Sequence, residues 1–237
     1  MSIDNVNVEV IENNFVENKE NLIIRIGLFG DLGISSEGVE DPKFDDEVHV
    51  DIINGCGIIA GTNPRSVLSG VYRFLIEAGC MWVRPGSDGE FIPRKDIYEI
   101  SVKLHERASY RHRGICIEGA VSYENIYDII EWAPKVGFNA YYVQQRIPYV
   151  FFERWYYHKN NPYKGPEEFS VETAKKFLTD FEKEIKKRDL LYHAVGHGWN
   201  CEPFGMVECY GDNVGYEVKP EVVQYLAEIN GKRDVTG

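Results

Sequence analysis

The stretches CGIIAGTNPRSVLSGVYRFLIEAGCMWVRPGSDGEFIPR, residues 56–94, and SYRHRGICIEGA, residues 109–120, decide the fold. The first reads as one compact βαβ unit. GIIAG is a strand, Asn63 is an N-cap, Pro64 takes the first helical position and Gly79 closes the helix. Between them Val67, Leu68, Val71, Phe74, Leu75 and Ala78 recur at helical spacing and make one broad apolar face. MWVR is the returning strand. The second stretch, with its short strand GICIEG, reads as the opening of a (β/α) barrel.

Outward from these stretches, NLIIRIGLF (residues 21–29) is a near-continuous apolar run, which predicts a buried strand, and VHVDII (residues 48–53) predicts another. Short extended pieces follow the turn PGSDG and end at ISVKLH. One helix on one face of a small mixed sheet is an α+β arrangement, assigned to residues 1–106. The segment from Arg107 to Arg111 is the linker. Beyond it strands and helices alternate. Ser122 caps a helix carrying Ile126, Ile129, Ile130 and Ala133, Pro134 ends its regular part, and Gly137 turns the chain into the strand NAYYVQQ. A long aromatic loop from Pro148 to Phe169 follows. Ser170 then caps an amphipathic helix with Val171, Ala174, Phe177, Leu178, Phe181 and Ile185 on one face. LLYHAVGHG is a third strand, and a last helix starts at Pro220 with Gly231 just past its end. The expected fold is therefore an α+β N-terminal accessory domain followed by an incomplete α/β (TIM-type) barrel over residues 107–237. Only about three βα units fit there, whereas a barrel takes eight units and roughly 250 residues. The expectation is an N-terminal portion of a larger fold.

Composition narrows the partners. The 237 residues carry a formal net charge of −12, which argues against nucleic acid, whose phosphates need clustered Lys and Arg. The five cysteines are odd in number and form no CxxC, which fits reduced thiols in a cytoplasm. MSIDNVNVEV has no basic and apolar leader pattern, and no apolar run approaches the ~20 residues of a membrane span. A cytoplasmic protein with no membrane partner and no cofactor is expected. GTNPRS lacks the glycine spacing of a phosphate-binding loop, and no GxSxG nucleophile elbow occurs.

In a βα barrel, chemistry sits at the C-terminal ends of the strands. Three places qualify: Glu118, the run from Gln144 to Arg146, and the run from His197 to Glu202. The segment HAVGHGWNCEPFG is the richest. His193 and His197 have HxxxH spacing, but on a strand their side chains stand about 13 Å apart, too far to share a metal. His197 is expected to point into a cleft, with Trp199 shaping a loop that presents Glu202. The aromatic run PYVFFERWYYHKNNPY offers Trp155 as a face for the C–H side of a sugar ring, or else builds its own small core.

The combination AGTNPRSVLSGVYRFLIEAG, a short linker and YRHRGICIEGA resembles the N-terminal half of a family 20 glycoside hydrolase. In those β-hexosaminidases, and in the related α-glucuronidases, such a domain precedes a catalytic (β/α)8 barrel. The chain also resembles a group of large bacterial proteins on that plan, in which segments like HAVGHGWNCEPFG recur. The resemblance implies that Arg113 of HRG holds sugar hydroxyls and that Asn139 opens the second strand. Glu118 stands where the family has Asp, and QQR replaces its His and Asp after the second strand. The family's catalytic Asp–Glu pair follows a fourth strand, so no catalytic pair is assigned.

The resemblance thus implies the N-terminal portion of a glycoside hydrolase acting on carbohydrate. Arg113, Glu118, Gln144, Arg146, Trp155, His197, Trp199 and Glu202 would bind substrate, and no metal is expected. Two alternatives stand beside it: a non-catalytic carbohydrate-binding or scaffold protein, and a metal-dependent sugar isomerase-type barrel using His197 and Glu202 as ligands. Open barrel edges would also favour self-association.

Overall fold

The computed structural model describes residues 23–36, 38–117, 119–143, 148–194, 220–226 and 228–233. The fold is mixed α/β with open sheets. A four-stranded sheet has the order β1-β3-β2-β6, from β1 (Ile24–Leu28), β2 (Glu47–Ile53), β3 (Cys56–Gly61) and β6 (Val102–Arg107). β1 runs parallel to β3, while β2 runs antiparallel to both β3 and β6. Between them lie the short helix α1 (Phe29–Leu32) and helix α2 (Pro64–Glu77), and then the small hairpin of β4 (Met81–Trp82) and β5 (Glu90–Phe91).

Helix α2 forms as its sequence predicts. The Asn63 side chain accepts a hydrogen bond from Ser66 N, Pro64 stands at the start, and Gly79 takes φ +102° just past the end. Its apolar face packs on the sheet, where Val50, Ile52, Ile59, Phe74, Ala78, Ile100 and Val102 form the core. The helix approaches closely at Gly70, where an added Cβ would meet Ile59 Cγ2 at 3.0 Å. Two expectations fail here. The returning strand of the expected βαβ unit leaves the sheet, since β4 pairs with β5 in a hairpin of its own. The apolar run at β1 is an edge strand rather than a buried one, with Ile26 55% exposed. Among the described strands it pairs with β3 alone.

After β6 the pattern changes to β7 (Gly114–Cys116), α3 (Tyr123–Lys135), β8 (Ala140–Val143), α4 (Pro148–Tyr156), α5 (Val171–Lys187) and β9 (Leu191–Ala194). The strands make a three-stranded sheet in the order β7-β8-β9. Asn139 N donates to Arg113 O at 3.0 Å and Leu191 N to Asn139 O at 2.9 Å, so the starts of all three strands lie side by side and the strands run parallel. Ser122 Oγ accepts from Asn125 N and caps α3, as expected. The helix then continues through Pro134 to Lys135. A proline so near the end removes only one ladder bond.

The chain divides into two compact units. One runs to Tyr141 and takes in Thr179–Tyr192; the other comprises Tyr142–Leu178 and the chain from His193 onward. In the first, Phe181 packs against Tyr141 and Tyr192, with ring centroids 5.9 and 6.0 Å apart. In the second, the expected aromatic loop contains helix α4. Phe152 and Tyr156 lie on its buried side and gather Phe169 and Phe177 into a core of their own. The helix expected from Pro220 is also revised. A 3-10 turn over Pro220–Tyr225 gives way to a hairpin of β10 (Glu228–Ile229) and β11 (Lys232–Arg233). Asn230 and Gly231 turn it with φ +52° and +76°, as an Asn-Gly type I′ turn requires.

Candidate functional site

Among the described residues, a dense polar cluster centres on the carboxyl of Asp46, just before β2. The residue is 4% exposed. Its Oδ1 accepts from Arg65 Nη2 (2.8 Å), Arg65 Nε (3.1 Å), Ser66 Oγ (3.1 Å) and Asn63 Nδ2 (3.2 Å). Its Oδ2 accepts from Arg113 Nη2 and Asn139 Nδ2, both at 2.7 Å. Burial pushes this carboxyl upward, but the hydrogen bonds from Arg65 and Arg113 outweigh it and hold the group below the usual carboxylate range. A carboxylate accepting several charged donors is a strongly fixed anion.

The donors arrive from three places in the fold. Asn63, Arg65 and Ser66 come from the first turn of α2, Arg113 from the residue before β7, and Asn139 from the residue before β8. The backbone joins in: Asn139 Oδ1 accepts from Arg113 N (2.8 Å), Asn139 Nδ2 donates to Arg111 O (2.8 Å), and Arg65 Nη1 donates to Asp189 O (3.2 Å). The cluster therefore ties the four-stranded sheet and α2 to the N-terminal ends of β7, β8 and β9. That is the end of a parallel sheet where stability, not chemistry, is usually built.

Arg113, the residue offered for sugar hydroxyls, is thus engaged here. Besides Asp46 it donates from Nε to Gly137 O (2.8 Å) and from Nη1 to Tyr110 O (2.7 Å). Trp155, the other expected contact among the described residues, is 46% exposed on α4 and stacks on Phe151 with centroids 5.6 Å apart. Glu118, Gln144, Arg146, His197, Trp199 and Glu202 lie outside the described residues. His197 of the HxxxH spacing is thus outside them too, while the His193 ring lies 6.3 Å from that of Tyr142.

A cleft of about 270 Å³ opens beside the Asp46 cluster. Val48, Tyr72, Ile76, Pro134 and Val136 give it an apolar wall, and Arg73, Arg113 and Lys135 stand at its rim. Each of these cations has a carboxylate: Arg73 pairs with Glu106 (2.9 Å), Arg113 with Asp46 and Lys135 with Glu90 (2.5 Å). Arg107 lines the cleft as well and bonds the carbonyl of Gly38, so the cleft offers shape, apolar surface and a cation held by a backbone oxygen.

A second carboxyl, Glu47, lies next in sequence and is also buried. Its Oε1 meets Nε2 of His105 on β6, and Nδ1 of His105 lies 3.1 Å from Nδ1 of His49 on β2. Sequence reading passed over Asp46 and Glu47 because both belong to an acidic run, DPKFDDE, that resembles a solvated loop. Among the described residues, no three His, Cys, Asp or Glu side chains converge to hold a metal ion. Among the same residues, no helix is long and apolar enough to cross a membrane. Compared with known proteins, the chain matches no family model and no curated protein.

Proposed function

We propose that the chain is the N-terminal portion of a glycoside hydrolase-like protein, an α+β accessory domain leading into the first βα units of a (β/α)8 barrel. The observation that carries this reading is the order β7-β8-β9, with helices between consecutive strands, set directly after the mixed sheet and α2. A barrel needs each new parallel strand beside the last, with a helix in every crossover. The Asp46 cluster supports the reading too, because it fastens the accessory sheet to the ends of the strands opposite those that carry barrel chemistry.

Carbohydrate is the substrate class proposed. Trp155 presents one half-exposed indole backed by Phe151, a rigid apolar face suited to a sugar ring. Glu118, Gln144, Arg146, His197, Trp199 and Glu202 are proposed to supply polar contacts from the ends and loops after the strands. A binding role without hydrolysis is the second reading. Trp155 favours it, because stacking needs no acid–base pair. Self-association through the outer edges of β7 and β9 is proposed as well, since each pairs with β8 alone among the described strands.

Affinity electrophoresis in gels containing a panel of polysaccharides, run beside hydrolysis assays on aryl glycosides, tests the function. Retardation that is lost in Trp155→Ala, with or without hydrolysis, is the expected result. Unretarded migration in every gel and no hydrolysis would overturn the carbohydrate reading. Light scattering after size exclusion tests association, which a single monomeric mass would contradict.

A further inference from the structure

We propose that Glu47, His105 and His49 form a one-proton latch between β2 and β6, which loosens when acid adds a second proton to the histidine pair. The registers bring the three together. His49 stands directly opposite His105, Glu47 opposite Arg107, and Asp51 opposite Lys103. Residues two apart on a strand share a face, so all six side chains project from the side of the sheet away from α2.

Hydrogen-bond chemistry then fixes the protons. An ionised Glu47 can only accept, so Nε2 of His105 carries a hydrogen. If His105 is neutral, its Nδ1 accepts and His49 Nδ1 donates across the 3.1 Å gap. If His105 is charged, its Nδ1 donates and His49 accepts through the other tautomer. In both cases the pair is satisfied. With both rings protonated, two N–H groups face each other with no acceptor between them, and two positive charges stand in ring contact, with centroids 5.1 Å apart. The second proton must therefore break the bond.

Asp51 favours a proton on His49 and Glu47 faces His105, but neither supplies an acceptor between the two Nδ1 atoms. Lys103 adds positive charge and is itself paired with Asp51 at 3.2 Å. Arg107 bonds to Gly38 O. On β3, the residue opposite His49 is Ala60 and the residue opposite Asp51 is Ile58, neither of them charged. On the α1 side, His105 meets the ring of Phe29 at 5.8 Å, and the acid of that helix, Asp31, is exposed. Burial, followed by the neighbouring His105, lowers the proton affinity of His49. The latch adjoins the junction: Ala108 N, one residue past β6, donates to Asp46 O at 2.9 Å. Acid that opens the pairing of β2 and β6 thus acts on the strand end that holds Asp46.

A group with depressed proton affinity in the folded state stabilises the fold above its unfolded value and loses that contribution as pH falls. For an imidazole the loss begins near pH ~6.5. The test compares urea unfolding of the full chain and of His49→Asn between pH 8 and pH 5. Asn keeps a donor for His105 Nδ1 and takes no charge. The ratio of the wild-type to the variant unfolding constant should rise by up to about tenfold per pH unit below that point, as one-proton linkage demands. A ratio constant with pH would overturn the latch. Should the variant not fold, nitrogen-15 NMR titration of the wild-type imidazole rings decides. Uptake of one proton by the pair down to about pH 5.5 is expected. Two independent titrations near the free imidazole value would refute it.

Discussion

Asp46 and Glu47 are neighbours in sequence, both carboxyls are buried, and each meets a different kind of partner. Asp46 is met by the guanidinium groups of Arg65 and Arg113 together with three neutral donors. Glu47 Oε1 meets the imidazole of His105, which lies against that of His49. Arginine stays charged at any pH a protein survives, whereas histidine changes charge near neutrality. Adjacent positions at the start of β2 therefore give a fixed joint and a titratable joint. Burial alone says little about how a carboxyl behaves; the chemistry of its partners decides it.

The largest effect should come from breaking the fixed joint. Asp46→Asn leaves Arg65, 2% exposed, with only the more distant carboxylate of Asp189 at 3.9 Å, and turns an amide donor toward other donors. A loss of about 3–5 kcal/mol is expected from removing one partner of a buried pair, read from urea unfolding. Glu47→Gln should cost less, about 1.5–3 kcal/mol, the range for a hydrogen bond to a charged group. Its amide oxygen can still accept from His105, which sets the titratable joint apart from the fixed one. If the two substitutions cost the same at pH 7, the contrast between the joints fails.

Asn63→Ala sharpens the fixed side. It removes the cap on Ser66 N and one donor to Asp46 Oδ1. Loss of a cap costs about 0.5–2 kcal/mol, and thermal or urea unfolding should fall in that range. The smallest effect belongs to the exposed pair beside the cluster. Hydrogen bonding by Arg111 pulls the Asp45 carboxyl down to about 2, so its stabilising contribution is present above the ordinary carboxylate range and fades as pH falls toward 2. In Arg111→Ala, carbon-13 NMR should find Asp45 titrating closer to the usual carboxylate value, with little change in stability at pH 7.

How far these features could be read from the sequence depended on their range. Helix α2 was legible because its signals are local: Asn63, Pro64, the apolar spacing and Gly79 all lie within one short stretch. Ser122 and Ser170 marked the starts of α3 and α5 in the same way. Helix α4 was hidden, since its aromatic residues favour a helix only weakly and their packing on Phe169 and Phe177 is tertiary. Two Asn-Gly pairs were readable and passed over. Asn54–Gly55 turns β2 into β3 and Asn230–Gly231 turns β10 into β11, each with both residues at positive φ. At the candidate site Arg113 was marked by its HRG context, but its partner Asp46 lies 67 residues away and no local pattern connects them. The cross-strand meeting of His49 and His105, 56 residues apart, needed the register of β2 on β6.

A double-mutant cycle on Asp46 and Arg113 tests the fixed joint most directly. Asp46→Asn, Arg113→Met and the double variant would be compared by urea unfolding at pH 7. Residues sharing one buried network couple by about 0.5–3 kcal/mol, so the double variant should cost clearly less than the two single losses added together. Strict additivity would contradict the account: Arg113 would then not be held by Asp46, and its guanidinium would be open to another partner.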